Sequence, residues 1–219
     1  MRVVVKISGN LIRNANLLDT LLNTIIKLQG ENREIALVPG GSVFADMVRD
    51  LQKELGFNDS IAHWMAIKAM EVYGAFIALR NSVIECVDSV EKVYAAWSKG
   101  LLPLVMPFNI IKQYGGELPH SWSVTSDAIA VFIAHLLKAD IAILIKLVSG
   151  IAIDGRLAKI IKVSEFPSNQ DVVDSYTPIL VQKYSIPTAV VGIHRLESLN
   201  CLLNRIESLC STEYTLIVP

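Results

Sequence analysis

The sequence predicts an α/β protein with an open, mainly parallel sheet covered by helices on both faces, a three-layer αβα sandwich. Two observations support this fold class. Short runs of apolar and often β-branched residues alternate along the chain with longer segments whose apolar residues recur at helical spacing. The strand-like runs, such as residues 141–147, are continuously apolar instead of alternating, which is typical of strands buried on both faces of a parallel sheet.

The predicted strands follow one another with helices or loops between them. They cover residues 2–8, 34–38, 83–87, 101–106, 141–147, 188–191 and 215–218. Helices are predicted over residues 17–28, 44–55, 60–79, 90–97, 126–137, 172–184 and 196–209. Gly30 and Gly56 follow two of these helices and are suited to end them, whereas Asp127 favours a helix N-terminus. Residues 113–125 are predicted to be a loop, and residues 149–156 a loop or a hairpin.

Length and composition narrow the class of protein. A chain of 219 residues can bury one well-filled core, so a single domain over residues 1–219 is expected. A net charge of −1 gives no basic excess for binding nucleic acid. The longest apolar runs are far below the ~20 residues of a membrane span, and the N-terminal run is too short for a signal peptide. We therefore expect a cytoplasmic protein that binds neither nucleic acid nor membrane.

Histidines, cysteines and the apolar fraction bear on metal sites and assembly. The four histidines show no metal-ligand spacing, so no metal site built from protein side chains is expected. Cys86, Cys201 and Cys210 form no CxxC pair and are predicted to be reduced thiols, with Cys86 in a buried strand. A hydrophobic fraction of 52% and a long helix at 60–79 with apolar residues on more than one side predict a homo-oligomer.

The candidate site lies at the carboxyl ends of the strands, where open α/β sheets bind their ligands. Lys6 ends the first strand before Gly9, so its ammonium can point into the crevice while the glycine lets backbone N–H groups approach a phosphate. A second glycine turn, Gly40-Gly41, connects a strand to a helix whose N-terminus favours an anion. No Gly-Lys-Ser/Thr follows, which excludes a Walker loop.

A carboxylate and a second lysine complete the constellation. Asp127 lies in the first turn of a predicted helix, and Lys146 ends an apolar strand as Lys6 does. Taken singly, these motifs also fit ordinary strand-to-helix turns or helix N-termini. As a set, two strand-end lysines, a glycine turn and a carboxylate between the lysines fit phosphoryl transfer, which needs positive charge around the moving group.

These motifs resemble, in content and order, the amino acid kinase superfamily, which includes acetylglutamate, aspartate, uridylate and isopentenyl phosphate kinases. The resemblance spans nearly the whole chain and implies the three-layer αβα fold of that superfamily. It implies ATP as the phosphoryl donor, Mg²⁺ held largely by phosphate oxygens and water, and a small-molecule acceptor. It further implies an N-terminal half that binds the acceptor, a C-terminal half that binds the nucleotide, and a homo-oligomer.

The same resemblance implies roles for individual residues. Lys6 and Lys146 would stabilise the transferring phosphoryl group, and Asp127 would hold both lysines in place. The phosphates and the nucleotide would contact Gly9, Gly40, Gly41, Ser149 and Gly150.

A finer resemblance rests on Phe44-Ala45-Asp46, on residues 62–67 and on residues 118–127. These motifs are similar to the archaeal and methylotroph branch that contains the aminomethylfuran phosphate kinase of methanofuran biosynthesis, which converts a phosphate monoester into a diphosphate. The resemblance implies a phosphate monoester acceptor, with an aromatic and imidazole wall for a flat ring. The acceptor-binding candidates are Asn10, Ser42, His63, Trp64, His120, Ser121, Trp122 and Thr125. The same aromatic residues would serve equally well in a subunit interface.

The sequence departs from the superfamily pattern in its loops. Ser8 and Ser42 replace glycines of the two phosphate loops, and Leu147 and Ser149 replace the two aspartates that usually follow the second lysine. Leucine can neither accept a hydrogen bond from a sugar nor position metal-bound water, so we expect weakened nucleotide affinity or relaxed base preference. These losses keep a second hypothesis open, namely a catalytically weak member that binds a nucleotide or anion as a sensor, storage or assembly protein.

Overall fold

The computed structural model describes residues 1–30, 32–204 and 213–219. The strands within these ranges are β1 (Arg2–Ile7), β2 (Glu34–Pro39), β3 (Ile84–Val87), β4 (Leu102–Val105), β5 (Ile141–Lys146), β6 (Ala152–Ile153), β7 (Arg156–Leu157), β8 (Ile160–Lys162), β9 (Thr188–Gly192) and β10 (Thr215–Val218). The helices are α1 (Ala15–Leu28), α2 (Ser42–Leu55), α3 (Asp59–Ala78), α4 (Val90–Ser98), α5 (Pro107–Tyr114), α6 (Ser126–Leu136), α7 (Thr177–Tyr184) and α8 (Glu197–Asn204). Short 3₁₀ turns cover Gly9–Arg13 and Val163–Glu165.

One eight-stranded sheet organises the described part of the chain, in the order β3-β4-β2-β1-β5-β9-β10-β8. Strands β3, β4, β2, β1, β5 and β9 are mutually parallel, whereas β10 runs antiparallel to β9 and parallel to β8. Strands β6 and β7 form a separate hairpin. The predicted mainly parallel α/β sheet is confirmed.

Apolar cores lie on both faces of the sheet, and the alternation of side chains along β1 assigns the faces. Val3 and Val5 belong to the core beneath α1 and α8, whereas Val4 belongs to the core beneath α4, α5, α6 and α7. Each of these valines is almost completely buried. Helices on both faces with the sheet between them constitute the three layers that the sequence predicts.

Several predicted bounds are wrong for identifiable reasons. Helix α5 occupies residues left unassigned or predicted as a loop, and Pro107 at its first turn is a helix-start signal. Strand β8 was not predicted, because its three residues are too few to show a periodicity. The helix predicted from residue 172 begins at Thr177, because the Asp174 side chain accepts a hydrogen bond from the Thr177 N–H. The hairpin alternative for residues 149–156 is confirmed by β6 and β7.

The remaining corrections concern the cysteines and the C-terminal helix. Cys86 is exposed on the edge strand β3, so its predicted burial is wrong. Cys201 is disulfide-bonded and therefore not a reduced thiol. Cys210 and residues 205–209 of the predicted helix lie outside the described residues. In the described ranges, no helix has the length and apolar character needed to cross a membrane.

Candidate active site

The two strand-end lysines point to the same side of the sheet because of strand register. Strands β1 and β5 are parallel neighbours, and Lys6 pairs with Leu144. Lys146 lies two residues beyond Leu144, and residues two apart on a strand face the same side. Val4 and Leu144, which share this parity, belong to the core that α6 covers. Both lysine side chains therefore emerge beside α6.

Asp127 joins the two lysines. It lies in the first turn of α6, where its carboxylate is almost completely buried. Its Oδ1 lies 3.0 Å from the Lys6 Nζ, and its Oδ2 accepts a hydrogen bond from the Lys146 Nζ at 2.5 Å. The prediction that Asp127 lies against both lysines is confirmed, and we call these three residues the Lys-Asp-Lys cluster.

Burial and charge act against each other in this cluster. Burial alone would raise the pKa of the Asp127 carboxyl, but the charges and hydrogen bonds of Lys6 and Lys146 outweigh it and lower that pKa. Burial lowers the pKa of the Lys6 ammonium, assisted by the charge of Lys146 and opposed by the charge of Asp127. An anion entering beside Lys6 would reverse part of this shift, because it favours the charged ammonium. The cluster is thus arranged to bind a polyanion.

Two glycine loops pack tightly next to the cluster. A Cβ atom on Gly9 would lie 2.3 Å from the Ser42 backbone N, and one on Gly40 would lie 2.6 Å from the Gly9 N. The Gly40 N–H donates to the Ile7 carbonyl at 2.9 Å, which fixes the second loop against the end of β1. Glycine is required at both positions because a side chain would collide with backbone atoms.

Ser42, which the resemblance aligns with the third glycine of the superfamily's loop, adopts a φ of +57°. That left-handed conformation costs about 1 kcal/mol or more for a residue with a side chain. Its buried Oγ has no hydrogen-bond partner among the described residues. A ligand oxygen at the N-terminus of α2 would provide that partner.

A cleft of about 440 Å³ opens beside the Lys-Asp-Lys cluster. Lys6 and Lys146 line it, and Asp127 lies behind them. The other sequence-predicted residues that line it are Gly9, Asn10, Gly41, Ser42, His63, Ser121, Trp122 and Thr125. Both hydrogen-bond donors of Thr125 are already used, because its N–H and its hydroxyl donate to the Asp174 Oδ2. It can therefore only accept a hydrogen bond from a ligand.

Trp64 and His120 do not line this cleft, contrary to the prediction. Trp64 follows His63 on α3, so it points about 100° away around the helix, where it packs against Phe108 with ring centroids 5.4 Å apart. His120 stacks behind His63 at 4.8 Å, and its Nδ1 shares a hydrogen bond with the Ser60 Oγ. The aromatic and imidazole wall of the cleft consists of His63 and Trp122.

Only the first part of the loop that follows Lys146 lines the cleft. Leu147 and Val148 line the cleft and are about half exposed, at 49% each. Ser149 and Gly150 do not line it: Gly150 packs against Thr215, since an added Cβ would lie 2.5 Å from the Thr215 Oγ1. Gly40 is also absent from the lining, since it packs against Gly9. Nucleotide contacts for these three residues stay predictions.

Asp174 is a buried residue near the site that sequence reasoning missed. Its Oδ2 accepts hydrogen bonds from Thr125 and from the Ala128 N–H, and its Oδ1 accepts from the N–H and hydroxyl of Thr177. It thereby joins the N-termini of α6 and α7 and fixes the turn that carries Asp127. Burial, and to a smaller extent the Asp127 charge, raises the pKa of Asp174. The spacing Asp174-x-x-Thr177 before a proline is a helix-start signal that could have revealed it.

Arg49 and two exposed carboxylates, Asp46 and Asp171, also line the cleft without having been predicted. Ser42, Asp46 and Arg49 are spaced by four and three residues along α2 and therefore share one helix face. Ser42 directly follows the second glycine loop, so this spacing could have indicated from the sequence that Asp46 and Arg49 lie on the cleft side of α2. Arg49 brings a third cation to the cleft.

His63 provides a prediction about pH. Burial, and to a smaller extent the neighbouring His120, lowers its pKa to about 4. An unfolded histidine titrates near pH 6.5, so between these values the unfolded chain binds a proton that the folded protein does not. This contribution to stability is therefore fully present above about pH 6.5 and is progressively lost as the pH falls towards 4.

The measurement compares denaturant unfolding of the wild type with His63→Gln at several pH values. We expect the free-energy difference between the two proteins to shift against the wild type as the pH falls through this window. A difference that stays constant from pH 7 to pH 4.5 would show that His63 titrates normally.

A sequence profile of the amino acid kinase family matches residues 1–181 of this chain. The [5-(aminomethyl)furan-3-yl]methyl phosphate kinase of Methanocaldococcus jannaschii is 29% identical over 192 residues, which are 86% of this chain and 87% of that protein.

Solved structures of similar fold include nucleotide kinases. The UMP kinase of Bacillus anthracis superposes with a TM-score of 0.77 at 15% identity, covering 99% of this chain and 95% of that one. The UMP kinase of Ureaplasma parvum gives 0.75 at 18% identity, covering 100% and 99%. The uridylate kinase of Archaeoglobus fulgidus gives 0.74 at 16% identity, covering all of both chains. At these identities the likeness shows the fold.

Proposed function

The chain belongs to the amino acid kinase family and is a small-molecule phosphotransferase, and we propose that it transfers the γ-phosphoryl group of ATP to a phosphate monoester. The observation that carries this proposal is the Lys-Asp-Lys cluster at the edge of an open cleft. In phosphoryl transfer the protein contributes mainly positioning and positive charge. Lys6 and Lys146 would supply the charge, and Asp127 would keep the two ammonium groups apart and aligned.

The residues present fit a bound nucleoside triphosphate. The Gly9 and Gly40 loops pack against each other beside the cleft, and the buried Ser42 Oγ lacks a partner in the described ranges. Lys6, Lys146 and the backbone N–H groups of the loops would hold the phosphates. In the described part of the chain, no group of three or more His, Cys, Asp or Glu could hold a metal ion. Mg²⁺, which neutralises phosphate charge when bound, would therefore be held largely by phosphate oxygens and water.

The proposed acceptor is a compound like [5-(aminomethyl)furan-3-yl]methyl phosphate, the substrate named for the relative from Methanocaldococcus jannaschii. Such a molecule carries a flat ring, a phosphate and an ammonium group. The cleft offers Trp122 and the neutral His63 for a ring, cations for a phosphate, and the exposed carboxylates Asp46 and Asp171 for an ammonium group. These groups support an acceptor of this class over an uncharged alcohol.

An ATP-consumption screen over phosphate monoesters tests the proposal. We expect ADP formation that depends on an aromatic or furan methyl phosphate and that Lys6→Ala abolishes. ADP formation that no monoester stimulates would contradict the proposed acceptor class. The intact Lys-Asp-Lys cluster favours the enzyme over the alternative of a binder without turnover, although the carboxylates are missing from the loop after Lys146.

We further propose a homo-oligomer assembled through α2 and α3. An apolar groove on this side is lined by Phe44, Val48, Trp64, Met65, Lys68, Ala69, Val72 and Phe108. Val72 is 52% exposed and the nearby Met47 on α2 is 61% exposed. Large apolar side chains gathered on one face are typical of surfaces that another chain covers.

Light scattering tests this proposal. The wild type is expected to show a multiple of the 24.1 kDa chain mass. Val72→Glu, which places a charge in the groove, is expected to shift the protein towards the monomer. Leu79→Glu, at an exposed position outside the groove, is the matched control and should leave the mass unchanged. A monomeric wild type at working concentration would refute the proposal.

A further inference from the structure

We infer that Arg49 forms the subsite that takes the phosphate of the acceptor, held in place by Trp122 and Gln52. The inference rests on the proposed function and deepens it, since it names the group that recognises the monoester. The cations that line the cleft are Lys6, Lys146 and Arg49, and the two lysines share the carboxylate of Asp127.

Arg49 differs from the lysines in having no carboxylate partner. No ion pair joins it to any residue within 1–30, 32–204 and 213–219. Transfer between two phosphates brings two polyanions together, and a lysine pair already neutralised in part by Asp127 has little charge left for the second one. Arg49 is the cation in this cleft that remains available for the second phosphate.

The side chain of Arg49 lies over the indole ring of Trp122. Its guanidinium carbon lies 4.3 Å from the centroid of the Trp122 ring, and the Trp122 Nε1 donates to the Gln52 Oε1 at 2.6 Å. Arg49 and Gln52 are one turn apart on α2, so a single helix fixes both the indole and the guanidinium stacked on it. The planar guanidinium fork can bind two phosphate oxygens at once.

The position of Arg49 along α2 suits this role. It lies seven residues after Ser42, about 10 Å along the helix from the glycine loop. Helical side chains lean back towards the helix N-terminus, which shortens the distance to the phosphoryl-transfer end of the cleft. The neutral His63 lines the same cleft, and its buried Nε2 has no hydrogen-bond partner in the described part of the chain. A polar ligand beside Arg49 would satisfy it.

Binding of phenyl phosphate, measured by calorimetry without nucleotide, tests the subsite independently of turnover. We expect Arg49→Gln to weaken binding about 10- to 100-fold, the scale of a lost charged hydrogen-bond pair. Arg49→Lys should recover only part of the affinity, because lysine keeps the charge but loses the stacked fork. Lys53→Gln is the matched control: Lys53 lies on the same helix, pairs with Asp50 and lies outside the cleft lining. It should bind like the wild type.

Kinetics then separate the two proposals. With a monoester that is turned over, Arg49→Gln should raise the KM for the monoester by a similar factor and leave the KM for ATP within threefold. Arg49-dependent binding of phenyl phosphate without turnover of any monoester would support the subsite and contradict the proposed function. Equal affinities of the wild type and Arg49→Gln, or no binding of phenyl phosphate to the wild type, would overturn the subsite.

Discussion

Replacing Asp127 with asparagine is expected to lower kcat about 100- to 1000-fold, the scale of losing one preorganised electrostatic group at a reacting centre. Asparagine keeps the size of the side chain but removes the charge that holds two buried ammonium groups together. Lys6 and Lys146 would then repel each other without a carboxylate between them, and the pKa of Lys6 would fall further. The variant should therefore lose both charge and alignment at the phosphoryl group.

Steady-state kinetics with a saturating acceptor check this expectation, and the KM for ATP should change much less than kcat. Removing one partner of a buried ion pair also costs about 3–5 kcal/mol of stability, so thermal unfolding must show that the variant is folded at the assay temperature. Asp50→Asn is the matched control, because Asp50 is an exposed carboxylate on α2 that lies outside the cleft lining. A kcat of Asp127→Asn within threefold of the wild type would remove Asp127 from the mechanism.

Replacing Gly9 with alanine is expected to have the second large effect. The added Cβ would lie 2.3 Å from the Ser42 N and 2.6 Å from its Cα, far closer than real carbon atoms approach. Because both contacts are backbone atoms, no side-chain rotation can relieve them, and the two glycine loops must separate. A displacement of about 1 Å at a reacting centre can lower the rate about 100-fold.

The expected result is a fall of about 100-fold in kcat/KM for ATP. Gly116→Ala is the control, since nothing lies within 4 Å of its added Cβ and its φ is not positive. It should behave like the wild type in activity and in thermal unfolding. Wild-type activity in Gly9→Ala would mean that the close approach of the loops is not needed to bind phosphates.

The site features predicted from the sequence depend on local pattern and strand parity. A lysine that ends a continuously apolar strand must emerge at the carboxyl edge of the sheet, and neighbouring parallel strands bring two such edges together. Asp127 could be predicted because the first turn of a helix packed on those strands faces the same edge. Charge complementarity then favours a carboxylate between the two ammonium groups, and Asp127 pairs with both Lys6 and Lys146 in the structure.

What the sequence did not reveal depends on contacts between distant segments. Arg49 gains its significance from Trp122, which reaches α2 from a loop about seventy residues later in the chain. Asp174 joins two helix N-termini that are distant in sequence. The direction of Trp64 depends on the rotation of α3 against its neighbours, and that of His120 depends on how the loop between α5 and α6 packs against α3. The local sequence around either residue encodes neither arrangement.

The central claim, phosphoryl transfer from ATP to a phosphate monoester at the Lys-Asp-Lys cluster, is tested most directly by identifying the product. The measurement is a ³¹P NMR time course with Mg-ATP and [5-(aminomethyl)furan-3-yl]methyl phosphate, run in parallel with Lys6→Ala. The prediction is that the monoester signal is replaced by the two coupled signals of a diphosphate while ADP accumulates, and that Lys6→Ala forms neither. ADP and inorganic phosphate without any diphosphate signal, or diphosphate formed equally fast by Lys6→Ala, would contradict the account.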